Sequence, residues 1–113
     1  MKKALINLGG IVISTIIYYR VHELITIGDK ICRLRGMKFE YYTLLSKASE
    51  LKTMGQHAAS SAVMATANSK LIAIQFTYKS ILIDYKYATL GWIERRRFEK
   101  DPDWEFIRES LKN

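Results

Sequence analysis

Residues 4–19 run for sixteen positions, Ala-Leu-Ile-Asn-Leu-Gly-Gly-Ile-Val-Ile-Ser-Thr-Ile-Ile-Tyr-Tyr, without one charged side chain. No other stretch constrains the fold as strongly. As a helix the run covers about 24 Å, a little short of the ~30 Å hydrocarbon core of a bilayer. Val21, Leu24, Ile25 and Ile27 carry the apolar character past Arg20, whose long stem can reach toward headgroups. Tyr18 and Tyr19 are the residue type enriched at membrane interfaces, and Lys2 and Lys3 flank the other end. These features predict a single-pass anchor over residues 1–27, built on Leu5, Ile6, Leu8, Ile11, Val12, Ile13, Ile16, Ile17, Tyr18 and Tyr19. They place the chain in a bacterial or organellar inner membrane, with residues 28–113 as a helical body. A cleaved signal fits less well, because Ile-Ile-Tyr-Tyr-Arg supplies no small-x-small site. The remaining alternative buries the run inside a soluble protein, since apolar helices of this length also occur in cores.

Charge bears on the choice of partner. Lys and Arg total 18 against 11 Asp and Glu, a formal net charge of +7. Such an excess favours anionic partners: nucleic acid, phospholipid headgroups or an acidic protein face. It is clustered. Lys30, Arg33, Arg35 and Lys38 lie just beyond the anchor, where contact with anionic lipid is worth ~1 kcal/mol per charge. Gly28 and Gly36 are expected to punctuate this stretch. Arg95, Arg96 and Arg97 form a second cluster, with Trp92 and Phe98 nearby to stack on bases. Glu94, Glu99, Asp101 and Asp103 surround that triplet and lower its field, so a solvated helix end is the simpler reading.

The rest of the chain reads as helix. Leu44, Ala48, Leu51, Gly55, Ala58, Ala62 and Ala65 recur at spacings of three and four, one seam whose residues shrink along the chain. So small a face permits close helix–helix contact, and Gly55 marks a bend or break. A second seam follows at Leu71, Ile74, Tyr78, Ile81, Tyr85, Ala88 and Trp92, and an additional face carries Ile72, Phe76, Ile83, Tyr87 and Leu90. Alternating apolar residues at 72–78 and 81–87 also suit a strand, but no Gly, Pro or Asn separates the two runs. Helix is preferred. Asp101-Pro102-Asp103-Trp104-Glu105 then places an N-cap, a proline at the first helical position and acids in the first turn. Trp104, Ile107 and Leu111 fall on one side of the short amphipathic helix that this start predicts.

Motifs for chemistry are missing. The glycines never take phosphate-loop spacing. His22 and His57 stand far apart, and the single Cys32 gives neither a disulfide framework nor a multi-cysteine zinc site. Ser60, Ser61 and Thr66 have no base nearby, and Asp84 amid apolar residues is the best candidate for a perturbed carboxylate. No catalytic residue, cofactor or metal ligand is assigned.

The expected architecture is therefore all-α: an N-terminal transmembrane helix, a long helix or helical hairpin, and a short C-terminal amphipathic helix. The expected function is a non-enzymatic, membrane-anchored accessory or assembly subunit that binds other proteins through helical seams. Tyr78, Tyr85, Trp92 and Trp104 are the expected partner-binding residues, because they combine large apolar area with a polar tip. A soluble basic nucleic-acid-binding protein and a small membrane-active effector or its inhibitor are the alternatives.

Overall fold

The computed structural model describes residues 2–112, with the side chains of residues 2–9 and of Ile11 outside the description. The protein is all-helical. Helix α1 spans Lys2–Thr53, α2 His57–Tyr87, α3 Gly91–Lys100 and α4 Glu105–Lys112, with a 3-10 turn over Pro102–Trp104 leading into α4. The alternating pattern at 72–87 does not produce a strand; it lies wholly within α2. Two opposed apolar faces on one helix put an apolar residue at nearly every other position, which imitates a period of two.

Helices α1 and α2 form an antiparallel hairpin, and α3 and α4 fold back at its open end. The closed end turns through a Schellman motif. Gln56 N–H donates to the Leu51 carbonyl at 2.9 Å and Gly55 N–H to that of Lys52 at 3.1 Å, with Gly55 left-handed at φ 81°. Gly55 therefore breaks the helix, as its spacing suggested. Gly28 and Gly36 do not punctuate anything, since α1 passes through both.

Side-chain size is graded along the hairpin. At the closed end only two helices meet, and Ala48, Ser60 and Ala67 let them approach closely enough for Ser60 Oγ to donate to the Ala48 carbonyl at 2.7 Å. At the open end, four elements share the interior and large side chains fill it. Ile27 and Leu34 of α1 meet Ile74, Tyr78, Ile81 and Tyr85 of α2, Phe98 of α3, Trp104 and Ile107. Phe98 lies against Tyr78, Tyr85 and Trp104, with ring centroids 5.0, 5.8 and 6.1 Å away. Asp101 caps the last turn by accepting from Asp103 N–H at 3.0 Å. Arg108 then clasps the corner, donating to the Asp101 carbonyl at 2.6 Å and to the Phe98 carbonyl and Tyr78 hydroxyl at 3.4 Å.

The membrane prediction is corrected. No helix of the described residues is long and apolar enough to cross a membrane, which points against a single-pass membrane protein. The reason lies past Tyr19, where the helix goes on into the body with polar groups bound to protein. Arg20, expected to reach for headgroups, pairs with Glu94 of α3, and the Glu23 carboxylate accepts Thr89 N–H at 3.0 Å. Ile27 is buried in the core. Of the residues assigned to the anchor, Val12, Ile13, Ile16, Ile17, Tyr18 and Tyr19 are exposed on α1, while the side chains of Leu5, Ile6, Leu8 and Ile11 lie outside the described residues.

Candidate functional site

Helix α2 is apolar on two opposite sides. One side, Ile74, Tyr78, Ile81 and Tyr85, is buried against the other helices. At 100° per residue the opposite side carries Ile72, Phe76, Lys79, Ile83 and Tyr87, and Leu90 continues it past the helix end. All four apolar residues of that helical face are open to solvent, Phe76 at 76% and Tyr87 at 77% of full exposure. Trp92 and Ile93 add further exposed apolar surface at the corner between α2 and α3. Exposed apolar side chains gathered on one face, rather than scattered singly, are the pattern that interaction sites show.

The polar groups of α2 are divided between its sides in a consistent way. Asp84 is the only acid on the helix, and it is turned toward α1, where Lys30 Nζ lies 2.6 Å from its carboxylate. Lys30 also donates to Ser80 Oγ at 2.8 Å. Lys70 is taken up in the same manner, 2.6 Å from Glu40 of α1. The outer side keeps Lys79 and Lys86. Neither forms an ion pair among the described residues, and Lys86 Nζ sits 5.7 Å over the Tyr87 ring.

At the open end, Arg20, Glu23, Glu94 and Tyr85 gather where α1 passes the corner. Burial pushes the Tyr85 phenol above its ordinary 10.0; the Glu94 carboxylate adds to the rise and Arg20 opposes it. A cleft of about 260 Å³ beside this cluster is lined by His22, Glu23, Asp84 and Tyr87, among others. It shares its acids with the body, because Asp84 is held by Lys30 and Glu23 by Thr89. No group of three or more His, Cys, Asp or Glu could hold a metal ion among the described residues.

The expected partner-binding set is split by the fold. Tyr78, Tyr85 and Trp104 are in the core, packed on Phe98, and only Trp92 of that set is on the surface, at 63% exposure. The cations expected to meet lipid are also divided. Lys30 faces Asp84, and Lys38 donates to the Asp103 carbonyl at 2.7 Å while covering the rings of Trp104 and Phe106. Arg33 and Arg35 stay exposed. Arg35 and Arg97 line a shared cleft of about 200 Å³ between α1 and α3, but Glu94 and Asp101 line it too. In the arginine triplet, Arg95 pairs with Glu99 at 2.9 Å, and Arg96 and Arg97 are exposed.

The outer face of α2 was visible in the sequence as the additional apolar face. What marks it as the surface is a signal beyond periodicity. It carries two lysines, Lys79 and Lys86, with no acid on the same side to neutralise them. Comparison with known proteins returns no matching family model, no similar curated protein and no similar solved structure.

Proposed function

We propose that the protein is a non-enzymatic accessory or assembly subunit that binds a partner protein through the outer face of α2. The observation that carries this reading is the row Ile72, Phe76, Ile83 and Tyr87, exposed on the side of α2 opposite its packed core. Removing such side chains from water contributes about 1.5–3 kcal/mol each, so a helix laid along the row gains a free energy of the same order as the entropy cost of association. Helix-on-helix contact suits the geometry, because Ile72, Phe76, Ile83 and Tyr87 are spaced four, seven and four and so stay on one side of the helix. The exposed Leu90, Trp92 and Ile93 extend the contact around the corner.

Photo-crosslinking in the native host tests the reading. A photoreactive residue at position 76 or 83 is expected to capture the same identified protein, with Ile83→Glu abolishing capture from position 76. The same group at Ser49, exposed on α1, is expected to give no such adduct. Equal capture from all three positions, or none from 76 and 83, would refute the proposal.

A further inference from the structure

Resting on this assignment of the α2 face, we propose that its partner element is one acidic amphipathic helix, with carboxylates placed opposite Lys79 and Lys86. Ile72, Phe76, Lys79, Ile83 and Lys86 are spaced four, three, four and three. This is the seam of a two-helix contact, with Tyr87 beside its last member. Ala73 and Ser80 border the apolar residues on one edge, and Asn68, Gln75, Lys79 and Lys86 on the other. The apolar strip is therefore one side chain wide, which admits a single ridge of a facing helix.

Charge selects among occupants of such a strip. Lys79 lies along the border of the strip beside Ile72 and Ile83, with Lys86 two turns further on, so whatever covers the strip must receive two ammonium groups along that side. A facing Glu or Asp does so with a charge-assisted hydrogen bond, and it also fixes register, as polar seam positions do in coiled coils. A second copy of this chain fares worse. The same face of a second copy offers only Lys79 and Lys86, because the sole acid of α2 is turned to Lys30. Like charges brought together there oppose self-pairing. A lipid surface is also disfavoured. Interfacial helices present a broad apolar sector with cations along both borders, whereas this strip is narrow and carries Lys79 and Lys86 along one border only, the other holding Ser80 and Ala73. The net charge of +7 adds long-range attraction toward an acidic partner.

The test uses the full chain and three probes. Two are fluorescent 21-residue designed helices with the same leucine seam, one flanked by glutamates and one by lysines. The third is a vesicle of mixed phosphatidylserine and phosphatidylcholine. The acidic helix is expected to bind at least ten-fold more tightly than the basic one in dilute buffer, with the gap narrowing as salt is added. The double variant Lys79→Glu, Lys86→Glu is expected to invert that preference while its circular dichroism stays unchanged, since both side chains are exposed. Equal binding of the two helices, or a preference that survives the charge reversal, would overturn the inference. So would self-association through the face in sedimentation, or binding of vesicles with no binding of either helix. Crosslinks from positions 76 and 83 to a basic or uncharged segment of a partner would sink this inference while leaving the subunit assignment intact.

Discussion

Replacing Gly91 with alanine is expected to destabilise the protein by about 1–3 kcal/mol, whereas the same replacement at Gly28 or Gly36 is expected to stabilise it. Gly91 opens α3 directly after the left-handed Leu90, and a Cβ built on it would overlap the carbonyl oxygen of Tyr85. That oxygen belongs to the backbone at the end of α2, so no side-chain rotation can yield. The chain has two ways out. It can spread the corner, and forced backbone shifts of this kind cost roughly 1–3 kcal/mol. Alternatively it can release α3, which withdraws Phe98 and loosens Trp104; full exposure of both would cost about 3–6 kcal/mol at the usual value per large side chain. The smaller of the two costs sets the effect, hence the expected range. At Gly28 and Gly36, by contrast, an added Cβ meets nothing within 4 Å. There the substitution only removes the penalty of glycine inside a helix, about 0.5–1 kcal/mol.

Urea unfolding followed by circular dichroism and tryptophan emission measures both effects. Trp104 is 1% exposed and Trp92 is 63% exposed, so loosening of α3 in the Gly91→Ala protein shifts Trp104 emission to the red at lower urea than the helix signal is lost. Separation of the two transitions marks departure from two-state behaviour. A Gly91→Ala protein within 0.5 kcal/mol of wild type, a value set against typical surface substitutions, would refute the reasoning about the corner.

Two further outcomes follow from the same corner. Because the Tyr85 phenol titrates above 10.0 in the folded state, folding holds its proton more tightly than the unfolded chain does. The associated stability is complete below pH 10.0 and is lost as pH rises through the raised value; Tyr85→Phe is expected to flatten that alkaline loss, and an unchanged slope would contradict the assignment. Arg20 and Glu94, with side chains 21% and 29% exposed, are expected to show a coupling of about 1–2 kcal/mol in a double-mutant cycle of Arg20→Met and Glu94→Gln. A coupling under about 0.3 kcal/mol, the usual error of additivity, would show the pair to be energetically idle.

Much of the helical layout was legible from residue spacing. The seam through Ile74, Tyr78, Ile81 and Tyr85 is the buried side of α2, and Asp101-Pro102 starts the final turn with the cap its sequence implies. The small-residue seam was only half legible. Ala48 is buried, but Ala58, Ala62 and Ala65 are exposed, and Ser60 and Ala67 take the inner positions. Three residues outside helical geometry, Met54 to Gln56, reset the angular phase, so spacing carried across Gly55 selects the wrong face. Membership of the core was misjudged for a related reason. Periodicity shows that α2 has two apolar faces but not which one its neighbours cover. Phe98, Trp104 and Arg108 decide that by long-range contacts, choosing the tyrosine side. The apolar opening of α1 misled for want of the partners of Arg20 and Glu23, which sit 74 and 66 residues away in sequence.

The uninterrupted course of α1 has a mechanical consequence. Its 52 residues form one rod in a molecule measuring 81 × 21 × 17 Å, and the side chains from Val12 to Tyr19 project beyond its ion-pairing with the corner at Arg20. A stiff arm of that kind magnifies angle: rocking the body by ten degrees sweeps a point about 25 Å up the arm, at 1.5 Å per residue, through about 4 Å. Inserting one residue ahead of Arg20 would swivel everything beyond it by about 100°, whereas inserting seven would nearly restore its bearing. A contact made on the arm would therefore also sense which way the hairpin is facing.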